Sequence, residues 1–310
     1  MPKPSIIFMG TPEFAVPSLQ ALVSAGYEVK AVFTQPDRPK GRGKQLAMSP
    51  VKEAALALNI PVCQPTRIRK DGVDSLRAIG AELYVTAAFG QILSKEVLAL
   101  PKMGTVNVHA SLLPKHRGSA PIAWGMLMGD TSFGITTMLT DEGIDTGDML
   151  LKCETALLPG ETCGELTERL SHMGAELLLK TLDHMLKGTL EPVAQKQSEA
   201  SYEPMLYKEM GNLDWSRKSA ELIRKIRALN PWPCAYTGKI KCLNARESDF
   251  PANQKPGIIL CADHKAGLIV QCRDGAIELT RIQAPGSKAM DARAYLLGHP
   301  MAVGSAIADI

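Results

Sequence analysis

The stretch Asn107-Val-His109-Ala-Ser111 sets three polar side chains at alternate positions of an otherwise apolar run. Residues two apart in a β-strand share a face, so Gly104 to Ala110 reads as a strand with Asn107 and His109 on one side of its carboxyl end. An asparagine amide there can donate to a developing oxyanion, and a histidine can pass a proton near neutral pH. A second polar cluster, Thr140 to Asp148, is a loop rich in carboxylates and glycine whose backbone can turn sharply enough to aim one acid inward. An acid beside an imidazole fixes its tautomer and favours its protonated form. Asp141, Glu142, Asp145 and Asp148 all qualify for that role, and each also makes sense as a simple turn former.

The elements that must hold these residues alternate between strand and helix signals. Ser5 to Met9 is a short apolar run ended by Gly10, after which Thr11 can cap a helix with Pro12 at its first position. Tyr27 to Thr34 reads as a strand, Ser49 to Ile60 as a helix capped by Ser49 with Pro50 just inside, Asp71 to Gly80 as a helix, and Ala81 to Phe89 as a strand. Such alternation predicts an α/β domain with a doubly wound, mostly parallel sheet. Two further strand runs, 135–140 and 148–155, lead to a long amphipathic helix over 161–188, and the aperiodic polar segment 189–205 reads as a linker. Beyond it come one helix, 219–229, and short alternating runs with turn signals that suggest a small antiparallel barrel. The expected organisation is a catalytic domain over 1–188, a linker over 189–205 and a C-terminal β-barrel domain over 206–310.

Composition narrows the function classes. No run of about 18 apolar residues suggests a membrane span, and the amino-terminal residues lack the apolar stretch of a secretory leader, so the cytoplasm is the expected location. Seven scattered cysteines without a Cys-x-x-Cys pair or histidines at metal spacing read as reduced structural thiols, and no metal is expected. Gly10 is one glycine where a dinucleotide fingerprint needs three, which argues against NAD. From Met205 onward 15 lysines and arginines stand against 10 acids, whereas the rest of the chain has 20 against 22. That asymmetry fits a nucleic-acid-facing region, and equally an ordinary basic surface. Arg38, Lys40, Arg42 and Lys44 alternate with prolines and glycines in a segment without apolar anchors, the composition of a finger that contacts phosphates. Trp232 and Tyr236, set among prolines in an apolar run, read as core.

Asn107-x-His109-x-Ser111-Leu112-Leu113-Pro114, then Arg117-Gly118, then Gly143-Ile144-Asp145-x-Gly147, resemble the folate-dependent formyltransferase family. Phe8 to Leu19, Thr34 to Leu46, Ser49 to Lys52, Leu113 to Ile122 and Asn230 to Thr237 are similar to its members that act on an aminoacylated tRNA, so the resemblance runs over essentially the whole chain. It implies a Rossmann-like catalytic domain and a C-terminal domain similar to an OB-fold. It further implies transfer of a formyl group from 10-formyltetrahydrofolate to the α-amino group of methionine on initiator tRNA. Carried onto this sequence, Asn107 and His109 stabilise the oxyanion and Asp145 supports His109, which chooses among the four acids. The folate would lie against Phe89, Gly90, Gln91, Ile92 and Leu93, with Ser111, Leu112, Leu113 and Pro114 shaping its floor and Asp141, Glu142, Gly143 and Ile144 closing the other side. The tRNA would meet the Arg38, Lys40, Arg42 and Lys44 finger together with Arg217, Lys218, Arg224, Lys225, Arg227, Lys239 and Lys241. The expected state is a monomer with no obligate protein partner. Relatives that formylate purine precursors or sugar nucleotides, or hydrolyse the folate, are the competing activities, and an RNA-binding protein without catalysis is the competing class.

Overall fold

The computed structural model describes residues 2–40 and 45–310, and the chain divides into two compact units. The first takes in residues up to Pro121 together with Ser132–Ala156 and Thr167–Glu203; the second takes in Ile122–Thr131, Leu157–Leu166 and Pro204–Ile310.

The strands of the first unit are β1 (Ile6–Gly10), β2 (Val29–Phe33), β3 (Arg38–Lys40), β4 (Gln45–Ala47), β5 (Val62–Cys63), β6 (Leu83–Ala87), β7 (Thr105–His109), β8 (Arg117–Gly118), β9 (Ser132–Leu139), β10 (Met149–Ala156) and β11 (Tyr202–Glu203). Seven of them form one sheet in the order β10-β9-β7-β6-β1-β2-β5. From β5 to β7 all pairings are parallel, and β9 and β10 extend the sheet antiparallel. The chain winds outward one way from β1 to β5 and the other way from β6 to β7, so strand order reverses between β1 and β6. A crevice opens beyond the carboxyl ends at such a point.

Helices α1 (Val16–Ser24), α2 (Pro50–Ala57) and α3 (Val73–Ile79) make the crossovers, and the short α4 (Lys95–Leu98) precedes β7. Strands β1 and β6 are buried along their whole length, the near-continuous apolar pattern of a sheet covered on both faces. Ile7, Met9, Ala31 and Phe33 pack with Leu76 and Val97 in one core. Ile6 and Phe8, also fully buried, point by alternation to the opposite face. Each such side chain contributes about 1.5 to 3 kcal/mol by leaving water.

Ser49 caps α2 as its sequence implies, its Oγ accepting from the Lys52 N–H at 3.1 Å with Pro50 in the first turn. Thr11 does not cap a helix. A 3-10 turn fills Glu13–Ala15, α1 begins only at Val16, and the Thr11 hydroxyl donates to the Phe89 carbonyl at 2.9 Å, tying the ends of β1 and β6 together. In the basic segment β3 pairs with β4 as a β-hairpin, and Arg42 and Lys44 lie outside the described residues. The segment read as a linker is packed into the first unit as far as Glu203: β11 pairs with β8, and Gln195, Gln197 and Ser201 bond inward. Aperiodic backbone satisfied by side-chain amides leaves no pattern in sequence that separates it from a linker.

In the second unit β12 (Ala235–Thr237), β13 (Ile240–Ser248), β14 (Ile259–Asp263), β15 (Gly267–Gln271), β16 (Ala276–Gln283) and β17 (Met290–Asp291) pair antiparallel in the order β12-β13-β16-β15-β14, with β17 beside β16. Ile240, Cys242, Leu268, Ile277 and Ile282 form its core with Leu222 and Ile226 of an amphipathic helix, Ser219–Ala228. Trp232 is not core: 59% of it is exposed beside the exposed Pro231, and burial begins only at Pro233, ahead of β12. Tyr236 is half-buried.

Candidate active site

Strand β7 ends at the crevice, and its register against β6 places Asn107 opposite Thr86. The Thr86 hydroxyl donates to the Asn107 side-chain oxygen at 2.8 Å, which uses the amide's acceptor and leaves its NH2 to donate elsewhere. His109, buried at the last position of β7, has Nε2 3.0 Å from the His116 carbonyl and Nδ1 3.5 Å from Asp145 Oδ1. Both ring nitrogens face oxygen acceptors, which fixes the plane of the imidazole and sets either side to donate.

Asp145 reaches His109 because its backbone is bent. It has φ +54°, in the left-handed region that Asp tolerates better than most residues. Its Oδ2 accepts from the Gly118 N–H at 2.8 Å, and the Gln195 amide donates to both the Asp145 and Gly147 carbonyls at 2.8 Å. Gly147 is required, since a Cβ there would overlap the Leu139 carbonyl oxygen. The other three acids turn elsewhere. Asp141 accepts from Thr146 Oγ1 at 2.7 Å and from the Gly143 N–H at 3.1 Å as a turn former, Glu142 faces Lys95 at 3.9 Å, and Asp148 is exposed.

The Ser111–Pro114 turn is locked from β9. Thr136 Oγ1 donates to the Ser111 carbonyl at 2.7 Å and accepts the Leu113 N–H at 3.1 Å, while Ser111 Oγ donates to the Lys115 carbonyl at 2.7 Å. Lys152 Nζ donates to the Leu113 carbonyl, and burial pushes that ammonium below its usual range against the opposing pull of Glu199. Ser111 and Leu113 are therefore buried structural groups, with Leu112 and Pro114 half-exposed.

Among the residues assigned to the opposite wall, Phe89 and Leu93 belong to the hydrophobic core. Gln91 is spent on the neighbouring backbone, accepting from the Ile68 N–H at 2.6 Å and donating to the Pro65 carbonyl at 2.9 Å. The Gly90 main chain, at φ +77°, and the 57% exposed Ile92 are what this loop presents outward. Ile144 is likewise exposed, on the loop that Glu142 joins to Lys95. The two exposed isoleucines, near the Lys95–Glu142 pair, offer apolar surface that suits a flat, partly apolar ligand.

At the foot of the basic hairpin, Lys52 and then Gln64 hydrogen-bond Asp37 at 2.6 and 2.7 Å and hold its carboxyl below the usual carboxylate range. Arg38 is exposed and donates to Gln35 at 3.2 Å, and Lys40 ends β3. The basic residues of the second unit are not equivalent. Lys218, Lys239 and Lys241 are exposed. Arg217 pairs with Asp214 at 3.4 Å and Glu221 at 3.9 Å. Arg227 is structural, donating to the Glu161 and Leu158 carbonyls at 2.8 and 3.2 Å. Lys225 donates to the Asn212 carbonyl at 2.6 Å, and burial lowers its ammonium below the usual range. Arg224 lines a cavity of about 450 Å³ with Trp124 and Lys225.

Sequence reasoning missed Thr86 and Gln195, and met Arg117 and Gly118 only as part of the family motif, without a role; Arg117 Nε and Nη1 donate to Gln195 at 3.0 Å and Gln197 at 2.9 Å. Thr86 had a findable signal in its position opposite Asn107 once β6 and β7 are taken as neighbours, and Gln195 had none. Among the described residues no cluster of His, Cys, Asp or Glu could hold a metal ion, and no helix is long and apolar enough to cross a membrane.

An open α/β sheet with polar side chains gathered at the carboxyl end of β7, joined to an antiparallel β unit, defines the class: residues 4–182 match the formyl transferase family and 205–300 the formyl transferase C-terminal domain. Methionyl-tRNA formyltransferase of Clostridium acetobutylicum is 48% identical over 300 residues, covering 95% of this chain and 96% of that protein. The protein of the same name from Trichlorobacter lovleyi is 48% identical over 303 residues, covering 97% and 96%. The chain belongs to the methionyl-tRNA formyltransferase family. The fold recurs in WlaRD, a sugar 3N-formyl transferase, with a TM-score of 0.66, 18% identity and coverage of 92% of this chain and 98% of that one. It recurs also in HypX from Aquifex aeolicus in complex with tetrahydrofolic acid, with a TM-score of 0.67, 16% identity and coverage of 95% of this chain and 47% of that one.

Proposed function

We propose that this protein transfers the formyl group of 10-formyltetrahydrofolate to the α-amino group of methionine esterified to initiator tRNA. The observation that carries this reading is the convergence of Asn107, His109 and Asp145 at the end of β7 in a chain of this family. The amine nitrogen attacks the formyl carbon, and the carbonyl oxygen becomes an oxyanion. The Asn107 NH2 stabilises that charge where it develops, and the His109 Nε2–H does so by turning to it from the His116 carbonyl that it faces in the unliganded protein. The bond to N10 of the folate then breaks, N10 takes up a proton, and the amine gives one up. Asp145 keeps His109 oriented through this exchange. The folate lies between the Gly90 to Leu93 main chain and the Asp141 to Ile144 loop. The basic hairpin and the exposed lysines of the second unit meet tRNA phosphates, which supply affinity without reading sequence.

A product assay with labelled formyl donor and three acceptors, methionyl initiator tRNA, methionyl elongator tRNA and an amino-sugar nucleotide, tests the reading. Label is expected on the initiator tRNA at least tenfold faster than on either competitor. Preferential labelling of the sugar nucleotide, or turnover that ignores the acceptor, refutes it.

A further inference from the structure

We propose that Glu203 is a positioning residue for His109 and Asp145, acting through the loop His116–Gly118. The two catalytic side chains are gripped by one short piece of backbone: the His116 carbonyl lies 3.0 Å from His109 Nε2, and the Gly118 N–H donates to Asp145 Oδ2 at 2.8 Å. The other side of that backbone is held by β11. The Glu203 side chain is 4% exposed, and its Oε1 is 2.9 Å from His116 Nδ1 and accepts from Ser201 Oγ at 3.1 Å. Ser201 Oγ in turn accepts the His116 N–H at 2.8 Å, and its carbonyl accepts the Arg117 N–H at 3.0 Å. The Ser119 N–H donates to the Glu203 carbonyl at 3.1 Å, and Gly118, at φ +102°, approaches that carbonyl so closely that a Cβ would overlap it.

His116 shows why the clamp matters. It has φ +55°, a left-handed conformation that a side chain of this kind keeps only where its surroundings over-determine it. Loss of Glu203 removes one of the bonds that hold His116 at positive φ, and relaxation toward negative φ rotates its carbonyl away from His109 Nε2 and carries the Gly118 N–H off Asp145. A carboxylate this deeply buried is expensive unless its acceptors are filled, and here His116 and Ser201 fill one oxygen while the loop they hold reaches both catalytic groups.

The kinetic part of the test rests on the formyl-transfer reading above; the spectroscopic part does not. Glu203→Ala is expected to lower kcat by about 10- to 100-fold, the scale of a displacement of order 1 Å at a catalytic group, with both KM values within about threefold. Glu203→Gln keeps an oxygen that accepts from His116 and Ser201 and should restore kcat to within about fivefold of wild type. In the unliganded protein the ring ¹⁵N and ¹H resonances of His109 should shift or broaden in Glu203→Ala and return in Glu203→Gln. If Glu203→Ala does not fold, Ser201→Ala, which removes the hydroxyl that accepts the His116 N–H and donates to Glu203 but leaves the Glu203 contact to His116 Nδ1, should lower kcat about three- to tenfold and move the same resonances. Wild-type kcat and unmoved His109 resonances in a folded Ala variant overturn the proposal, as does a loss confined to KM. A wild-type enzyme that does not formylate tRNA sinks the functional reading and leaves the His109 resonances to decide this one.

Discussion

Replacing Asp145 by Asn changes one atom and should stop the chemistry without disturbing the fold. In the native loop Asp145 Oδ2 accepts the Gly118 N–H at 2.8 Å while Oδ1 faces His109 Nδ1 at 3.5 Å. An asparagine has one oxygen for these two duties, and the Gly118 N–H, fixed in the backbone, takes it. The NH2 then faces His109 Nδ1, where two donors cannot meet, so Nδ1 must carry the lone pair and Nε2 the hydrogen. That tautomer is satisfied by the His116 carbonyl at 3.0 Å, which stabilises the wrong arrangement. Substitutions that enforce a wrong imidazole tautomer in hydrolytic triads cost about 10⁴ in turnover. Asn107, proposed as an oxyanion donor, remains here, so the expected loss is about 10³- to 10⁴-fold in kcat, roughly 4 to 5.5 kcal/mol of barrier. Single-turnover formylation at saturating tRNA and formyl donor measures it, with a thermal melt to confirm that the Gly118 and Gln195 bonds persist. A variant within tenfold of wild type refutes the argument, because His109 would then not depend on its acidic neighbour.

Asn107→Ala removes one oxyanion donor and should lower kcat by about 10²- to 10³-fold with folate affinity unchanged by equilibrium titration; retention of a third of wild-type rate would reassign the residue. Gly147→Ala places a Cβ on the Leu139 carbonyl and should destabilise the protein by more than about 2 kcal/mol, read as a lowered midpoint in urea. Changing Lys40, Arg42 and Lys44 together to Ala should spare folding and folate binding and flatten the salt dependence of tRNA affinity by about 0.7 to 0.9 of a log unit per lost phosphate contact; an unchanged slope makes the hairpin an ordinary loop. Burial pushes the Cys242 and Cys272 thiols up to about 12 from an ordinary 9.0, so their thiolate fraction at pH 8 falls about a thousandfold. Alkylation followed by mass spectrometry should leave both unmodified until the protein unfolds.

What could be read in the sequence and what could not divide along a physical line. Asn107 and His109 were legible because alternation in a strand is a period of two, and Ser49 because a cap needs one residue type at one position. The choice of Asp145 over its three acidic neighbours was not a matter of pattern; it came from resemblance, and the geometry behind it is a left-handed backbone that no periodicity encodes. Trp232 was misread because proline beside an aromatic looks apolar in sequence, whereas in space the run divides, with Pro231 and Trp232 exposed and Pro233 to Ala235 buried.

The polar layer behind the site was invisible for a deeper reason. Gln195 meets Asp145 across 50 residues of chain and Glu203 meets His116 across 87, each through a side chain on irregular backbone. Regular elements satisfy their own N–H and C=O groups and so leave a repeating apolar stripe as their trace. Irregular backbone beside a reactive group must be satisfied one bond at a time, by whichever amide, hydroxyl or carboxylate fits. Such residues are scattered and polar, the same composition as a solvated linker. Segment 189–205 therefore read as a linker on the ground that suits its first part to its place: lacking a period, it can turn Gln195, Ser201 and Glu203 toward the three residues His116–Gly118 beside the histidine and its acid.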